Sequence, residues 1–275
     1  MTDDEIMTQS MYEISGETAI VTGASSGIGK QIAAKYSQSG VDVVICSRTL
    51  ENVESAANEL NGGDPPGEVL AIECDITDRD AVDALVETTV EQFGGLDILV
   101  NNAGAGFVAP FEEISPNGWQ IITDINLTGT YNCTHAAAEF LADDGGTVIN
   151  ISSIAGQSGL PYELHYSAAK AGVINFTRTL SFEWARKGVR VNGIAPGFIA
   201  TDAFIEHWGV GDDDIDRSET NRRIGSVDEI ADIAHFLATP AASFINGETL
   251  TAQGVPRVEQ SAAVPHPEEA GPGSG

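Results

Sequence analysis

Short apolar segments rich in β-branched residues alternate with longer segments of helical periodicity along most of this chain. Several short segments are almost continuously apolar, as strands buried on both faces of a parallel sheet should be. The predicted strands are Thr18–Thr22, Val41–Ser47, Val69–Glu73, Leu96–Asn101, Thr147–Ser152, Val189–Ala195 and Glu248–Ala252. The predicted helices lie near 27–39, 49–60, 78–93, 117–141, 162–187 and 227–238. This order predicts one α/β domain built on a doubly wound, seven-stranded parallel sheet with helices on both faces.

The alternating pattern extends from about residue 15 to residue 255, which sets the limits of the predicted domain. Residues 1–14 then form an N-terminal extension, and residues 256–275, rich in Pro, Gly, Glu and Ala, form a flexible tail. The segment 202–224 lacks periodicity but carries Phe204, Ile205 and Trp208 among acidic residues. We predict a substrate lid there, with an irregular surface insertion as the alternative.

The chain is strongly acidic, with 41 acids against 13 bases and a net charge of −28. Nucleic acids and anionic membrane surfaces are therefore not expected partners, because binding phosphate requires clustered Lys and Arg. The acidic runs are interpreted as solvated surface, and no metal site is expected. Only four lysines occur, a composition that resembles proteins of salt-accumulating microbes. The hypothesis is that high salt, which screens self-repulsion, is required for folding or activity.

Three cysteines, Cys46, Cys74 and Cys133, suit neither a secreted disulfide framework nor a metal site. Cys46 and Cys74 end two predicted strands and are possible neighbours, so buried free thiols are the preferred interpretation. The first residues lack the basic and apolar regions of a signal peptide, and no apolar run reaches membrane-spanning length. A cytoplasmic protein is expected.

Tyr166 and Lys170 lie one helical turn apart, with Ser153 thirteen residues upstream. A tyrosine is a poor acid at neutral pH, and a nearby ammonium group lowers its pKa by favouring the phenolate. The pair therefore predicts a tuned proton donor and acceptor. Alone, this spacing is weak, since any amphipathic helix can carry it.

The first predicted strand ends in Thr22 and leads through a glycine-rich turn, Gly23–Gly29, into a helix. Glycines let the backbone approach a pyrophosphate, and the helix N-terminus supplies N–H groups and partial positive charge. The spacing is G-x-x-x-G-x-G, and it follows the first strand, where the ligand crevice of such sheets lies. A purely structural tight turn is the alternative.

These features occur together with Asn101-Asn-Ala-Gly104, Asn126 and Pro196-Gly197. In order and spacing, the set resembles the classical short-chain dehydrogenase/reductases over nearly the whole chain. The resemblance implies a Rossmann-like fold and four catalytic residues. Tyr166 would be the general acid or base, Lys170 would lower its pKa and hold the nicotinamide ribose, Ser153 would bind the substrate oxygen, and Asn126 would hold a proton-relaying water. The alternatives are a turn cap for Ser153, backbone satisfaction for Asn126 and a core aromatic for Tyr166.

The resemblance also implies where a nicotinamide dinucleotide binds. The loop 102–104 resembles the adenine-side loop, Asp75 would lie near the adenine ring, and the segment from Pro196 would hold the carboxamide. The implied cofactor-binding residues are Gly23, Ser25, Ser26, Gly27, Ile28, Gly29, Ser47, Arg48, Asp75, Ile76, Asn102, Ala103, Gly104, Tyr166, Lys170, Pro196, Gly197, Ile199 and Thr201.

The second predicted strand ends in Cys46-Ser47-Arg48, where NAD-preferring relatives usually place an aspartate. A guanidinium suits a 2′-phosphate, so the resemblance favours NADP(H) over NAD(H). Against this, Ser25-Ser26 stands where many NADP enzymes add a second basic residue.

The implied reaction is hydride transfer between nicotinamide and a ketone or secondary alcohol. The nearest resemblance is to 3-oxoacyl-thioester reductases, with acyl carrier protein, coenzyme A thioesters or a free ketone left open. Sugar or polyol dehydrogenation is the alternative, enoyl reduction ranks lower, and a non-catalytic nucleotide-binding scaffold is the alternative of another class. Helices 117–141 and 162–187 carry apolar residues on more than one face, and in this family they pair between subunits, so a homotetramer is expected.

Overall fold

The computed structural model describes residues 11–14, 18–141, 145–202, 205, 215–221 and 224–255. The strands among these residues are β1 (Thr18–Thr22), β2 (Asp42–Ser47), β3 (Val69–Glu73), β4 (Ile98–Asn101), β5 (Thr147–Ile151), β6 (Arg190–Pro196), β7 (Phe198–Ile199), β8 (Ile224–Gly225) and β9 (Thr249–Ala252). One parallel sheet has seven of these strands in the order β3-β2-β1-β4-β5-β6-β9. A second, two-stranded sheet joins β7 to β8.

Helices cover both faces of the large sheet. They are α1 (Gly27–Gln38), α2 (Leu50–Asn61), α3 (Arg79–Phe93), α4 (Pro116–Thr123), α5 (Gly129–Ala136), α6 (Ala138–Leu141), α7 (Ile154–Ser158), α8 (Leu164–Trp184) and α9 (Val227–Ala238). The predicted doubly wound, single-domain Rossmann-like fold is therefore confirmed.

Strand β1 shows why the sheet must be covered on both sides. All five of its residues are buried, and successive side chains point to opposite faces. Val21 packs with Ile32 of α1 and Leu237 of α9 in one core. Ile20 packs with Leu85 of α3 in the other core. Two apolar cores thus hold β1 at the centre of the sheet and fix the position of the turn that follows it.

The single helix predicted over 117–141 is wrong, because the chain forms three helices with a π-helical turn, Asp124–Thr128, between the first two. In that turn Gly129 N–H donates to the carbonyl of Asp124, five residues earlier. The side-chain amide of Asn126 donates to the carbonyl of Ile122 at 2.8 Å, the acceptor that the backbone of residue 126 would use in a regular α-helix. This competition accounts for the local change in helix type.

The other differences from the predicted elements are small. Four of the predicted strands begin one or two residues too early, and helix α8 begins at Leu164 rather than at 162. Helix α7 and the short β7–β8 pair were not predicted. The described residues leave out most of the predicted lid, all of the predicted tail and residues 1–10. The lid, the flexible tail and the N-terminal extension therefore stay predictions.

Candidate active site

The strand order reverses between β1 and β4, and ligand sites in such sheets lie at the carboxyl ends of the strands beside that reversal. Two clefts open there. One of about 380 Å³ contains most of the implied cofactor residues, namely Gly23, Ser25, Ser26, Gly27, Ile28, Ser47, Arg48, Asp75, Ile76, Asn102, Ala103, Gly104 and Thr201. The second, of about 850 Å³, contains Ser153, Tyr166, Lys170, Pro196, Gly197 and Ile199. Ile28, Asn102, Gly104, Ala105 and Thr201 line both, so the two clefts are continuous.

The glycine turn after β1 is shaped by the loop after β4. Gly23 has φ +63°, and a Cβ there would lie 2.7 Å from the Cα of Ala103. Gly29 does not line either cleft; a Cβ on it would lie 2.4 Å from the Asn102 amide nitrogen. That amide donates to the carbonyls of Thr22 and Gly23 at 2.9 and 3.0 Å. Both glycines are thus required by close packing of the turn.

The first turn of α1 faces the smaller cleft without a side-chain cap. Its N-cap residue, Ser26, makes no capping hydrogen bond, and the first turn contains no acid. The N–H groups of such a turn are therefore left for an external acceptor, and the helix dipole favours a negative one. These residues fit the pyrophosphate of a dinucleotide.

Tyr166 lies in the larger cleft, with its side chain partly exposed to it. Burial raises the pKa of Tyr166, and a hydrogen bond with the Ser153 hydroxyl acts in the opposite direction. The net shift of the Tyr166 pKa is therefore upward, and not downward as predicted from the nearby Lys170, because desolvation has the larger effect. Ser153 also caps α7, accepting from the N–H of Ala155 at 3.1 Å. Ser153 therefore caps the helix and lines the larger cleft at the same time.

Lys170 is almost fully buried, with 3% of its surface exposed. Its ammonium nitrogen lies 5.6 Å from the centre of the Tyr166 ring and donates to the carbonyl of Ile151 at 2.8 Å. Burial lowers the pKa of Lys170 to about 8. The bond to Ile151 holds the ammonium at the end of β5, beneath the loop that carries Gly104.

Asn126 lines neither cleft and is fully buried on the π turn. Its amide nitrogen donates to the carbonyls of Ala105 and Ile122 at 2.6 and 2.8 Å. Its amide oxygen has no hydrogen-bond partner among the described residues. A Cβ on Gly104 would lie 2.8 Å from that oxygen and 3.2 Å from the Lys170 ammonium nitrogen, so both polar groups converge on the same small space.

The far end of the smaller cleft carries the residues that follow β2 and β3. Arg48 is exposed there and Ser47 is partly exposed; the Ser47 hydroxyl donates to the carbonyl of Thr49 at 3.1 Å. The carboxylate of Asp75 accepts from the N–H and the hydroxyl of Thr77 at 2.9 and 2.7 Å. Arg48 is the only cation among the described residues that line this cleft.

Two further features were missed or only suggested by the sequence. Cys46 and Cys74 both line the smaller cleft, and their mutual hydrogen bond raises the pKa of Cys46. The suggested adjacency of these buried thiols is therefore confirmed, and no described residues form a metal-binding cluster.

His165 is fully buried, accepts from the N–H of Tyr166 at 2.8 Å and packs on Phe107. In the sequence, the feature that could have pointed to His165 was its position next to Tyr166.

Lys170→Met removes the buried cation while keeping a long side chain. Because the folded-state pKa is about 8, the folded chain binds fewer protons than the unfolded chain from pH 8 to about 10.5. This group therefore makes unfolding free energy rise with pH in that interval and disfavours folding below it. We expect the wild type to gain stability relative to Lys170→Met between pH 8 and 10.5, measured by urea unfolding.

The exposed Lys187 provides a matched control for that experiment, and Lys187→Met should show no such pH-dependent difference. A constant stability difference between the wild type and Lys170→Met across this interval would contradict the assignment of a strongly desolvated ammonium to residue 170.

Comparisons with known proteins agree with this geometry. A family model described as short chain dehydrogenase matches residues 17–208. A 3-oxoacyl-[acyl-carrier-protein] reductase of Synechocystis sp. is 40% identical over 249 residues, 89% of this chain and 98% of the relative. A D-threitol dehydrogenase of Mycolicibacterium smegmatis is 37% identical, covering 88% of this chain and 94% of its own.

Solved structures show the same likeness. The crystal structure of a dehydrogenase/reductase from Sinorhizobium meliloti 1021 has a TM-score of 0.81 and 30% identity, covering 90% of this chain and 98% of that one. No helix among the described residues has the length and apolar character needed to cross a membrane. With the family model matching more than half of its length, the chain belongs to the short-chain dehydrogenase family of oxidoreductases.

Proposed function

We propose that this protein is an NADP(H)-dependent reductase that transfers hydride between nicotinamide and the ketone carbon of a 3-oxoacyl thioester. One observation carries the proposal: Tyr166 and Ser153 line the same cleft, close enough for Ser153 to lower the pKa of the Tyr166 phenol, and this cleft is continuous with the dinucleotide cleft. The N–H groups at the uncapped start of α1 suit the pyrophosphate of the cofactor, and the Lys170 ammonium beside Gly104 suits its ribose. When bound, that cofactor supplies the hydride.

The side chains divide the remaining chemistry. The Tyr166 hydroxyl donates a proton to the carbonyl oxygen during reduction and accepts it back during oxidation. The Ser153 hydroxyl donates a hydrogen bond to the same oxygen, where negative charge develops. Lys170 orients the cofactor ribose and places a positive charge near the phenol, which stabilises the phenolate left by proton transfer.

Asn126 supports a path that returns the proton to Tyr166. Its unpartnered amide oxygen and the Lys170 ammonium both face Gly104, so a water held between them would have two polar partners. A water bound there would extend a hydrogen-bonded path from Lys170 beyond the phenol. Glycine at position 104 leaves the space that such a water requires.

The substrate class is supported by the cleft and by relatives. Phe107, Leu160 and Phe198 give the larger cleft an apolar lining suited to an acyl chain. The Synechocystis relative reduces a 3-oxoacyl group, as its name states. Polyol or sugar oxidation is the second candidate, favoured by relatives named D-threitol dehydrogenase and glucose 1-dehydrogenase.

Initial-rate assays on matched substrates test the proposal. We expect faster NADPH oxidation with acetoacetyl-coenzyme A or its N-acetylcysteamine analogue than NADP⁺ reduction with threitol or glucose. The reverse order would replace the thioester assignment with polyol oxidation. If NADPH bound tightly but no ketone or alcohol were turned over, the chain would instead be a nucleotide-binding scaffold.

A homotetramer is proposed from apolar side chains left uncovered on α4, α5 and α8. Phe182 is 84% exposed, and Trp119, Ile121 and Tyr131 are also exposed. Helix faces of this kind are typical of subunit contacts. We expect light scattering after size-exclusion chromatography to give four times the chain mass, and Phe182→Glu to lower it. A monomer in high salt would contradict this assembly.

A requirement for high salt is proposed for a cytoplasmic enzyme of a salt-accumulating cell. The net charge of −28 destabilises a compact chain through self-repulsion. At about 1 M salt the Debye length is roughly 3 Å, so repulsion between charges farther apart than that is largely screened. We expect the midpoint of thermal unfolding to rise steeply between dilute buffer and molar potassium chloride. Full stability and activity in dilute buffer would contradict this proposal.

A further inference from the structure

The larger cleft has an unusual charge distribution. Among the described residues that line it, the charged side chains are Glu163 and Lys170. Lys170 is buried and its ammonium is held by the carbonyl of Ile151. The proposed function assigns Lys170 to the cofactor ribose, so no second cation in the described lining is left to pair with an anionic substrate group, while the same lining includes one acidic residue, Glu163.

Glu163 occupies the N-cap position of α8, three residues before Tyr166. Its backbone is fixed on both sides, since its N–H donates to the carbonyl of Leu160 and its carbonyl accepts from the N–H of Ser167. Its side chain makes no capping hydrogen bond and no ion pair among the described residues. Within the part of the chain that the structure describes, the carboxylate therefore has no hydrogen-bond or ion-pair partner that would explain its presence.

The carboxylate also lies within electrostatic reach of the proton donor. Burial raises the pKa of Glu163, and the charge of Glu163 contributes to raising the pKa of Tyr166 after the effect of burial. A substrate whose carbonyl oxygen reaches the Tyr166 hydroxyl must place its neighbouring carbons in the field of Glu163. Salt screens a partly buried pair of like charges less than an exposed pair.

We propose that Glu163 is a specificity-determining residue that excludes substrates carrying a carboxylate or phosphate close to the reacting carbon and admits uncharged carbonyl compounds. The inference rests on the proposed reductase function and narrows its substrate class. A 3-oxo thioester or ester is neutral near the ketone, whereas the free 3-oxo acid brings a second negative charge beside Glu163. Thioesters are therefore accepted and their hydrolysis products are rejected.

The test compares kcat/KM for acetoacetate, methyl acetoacetate and the N-acetylcysteamine thioester of acetoacetate, with NADPH at constant high salt. Glu163→Gln keeps the size of the side chain and removes its charge. We expect kcat/KM for acetoacetate to rise roughly tenfold in this variant, and the two neutral substrates to change by less than about threefold. Glu54→Gln removes an exposed carboxylate on α2 and should change none of the three values.

The outcomes separate this inference from the proposed function. A wild type that prefers both neutral substrates, with acid reduction gained in Glu163→Gln, supports it. A wild type that reduces the acid as efficiently as the ester, or a Glu163→Gln variant that changes all three values equally, overturns the inference and leaves the reductase intact. A wild type that oxidises no NADPH with any of the three overturns both.

Discussion

Tyr166→Phe will lower kcat for ketone reduction by about 10³-fold, while the dissociation constant for NADPH changes only a few-fold. The substitution removes one hydroxyl from the ring and keeps the rest of the side chain. Positioned proton transfer contributes about 10² to 10⁴-fold to such reactions. The hydroxyl lost is the one whose pKa the neighbouring Ser153 lowers. Stopped-flow rates of NADPH oxidation and fluorescence titration of NADPH measure the two quantities independently.

Tyr162→Phe is the matched control, because it removes the hydroxyl of a tyrosine that is 64% exposed and lies outside the described lining of both clefts. It should retain wild-type kcat and wild-type NADPH binding. If Tyr166→Phe retained more than a tenth of the wild-type kcat, the phenol would not be the proton donor, and the proposed mechanism would have to be abandoned.

Arg48→Asp will lower kcat/KM with NADPH by about 100-fold and leave kcat/KM with NADH within about threefold. Arg48 is the cation at the end of β2 in the smaller cleft. A guanidinium recognises phosphate by charge-assisted hydrogen bonds, which a carboxylate turns into repulsion. An aspartate there instead offers an acceptor to the ribose hydroxyls of NADH. Initial rates over a range of both cofactors measure the ratio.

Arg186→Asp provides the control, since it makes the same charge change at an exposed position that lies outside the described lining of both clefts. It should alter both cofactors equally and slightly. Equal losses with NADPH and NADH in Arg48→Asp would show that Arg48 supports the fold or the cleft generally, and would remove the main support for a preference for NADP(H).

The fold was predictable because the central strands are apolar on both faces and alternate with helical segments, a combination typical of a parallel sheet covered by helices on both sides. The predicted placement of Tyr166 and Lys170 on one helix was also correct, because that depends only on helical spacing. The two-residue strands β7 and β8 are too short to leave a periodic signal. Helix α7 follows Ser153 for five residues and is equally short.

Other properties depend on contacts that spacing does not encode. The π turn at 124–128 arises because the Asn126 side chain competes for the Ile122 carbonyl, which requires both groups in place. The direction of the Tyr166 pKa depends on the balance between burial and its polar neighbours, not on the distance to Lys170 along the helix. Glu163 could not be singled out from the sequence, because nothing in the sequence distinguishes it from the other acids among the 41 acidic residues.

The single extra residue accommodated by the π turn sets the rotational position of every side chain on the helix that follows. Converting residues 124–128 to regular α-helix without changing their number would rotate α5 by about 100° relative to α4. The Asn132 amide would then leave the carbonyl of Ile76, and Thr134 would leave the amide of Asn101. Local helical regularity and anchorage to the sheet are therefore in conflict here, and the π turn keeps both distant hydrogen bonds with the present number of residues.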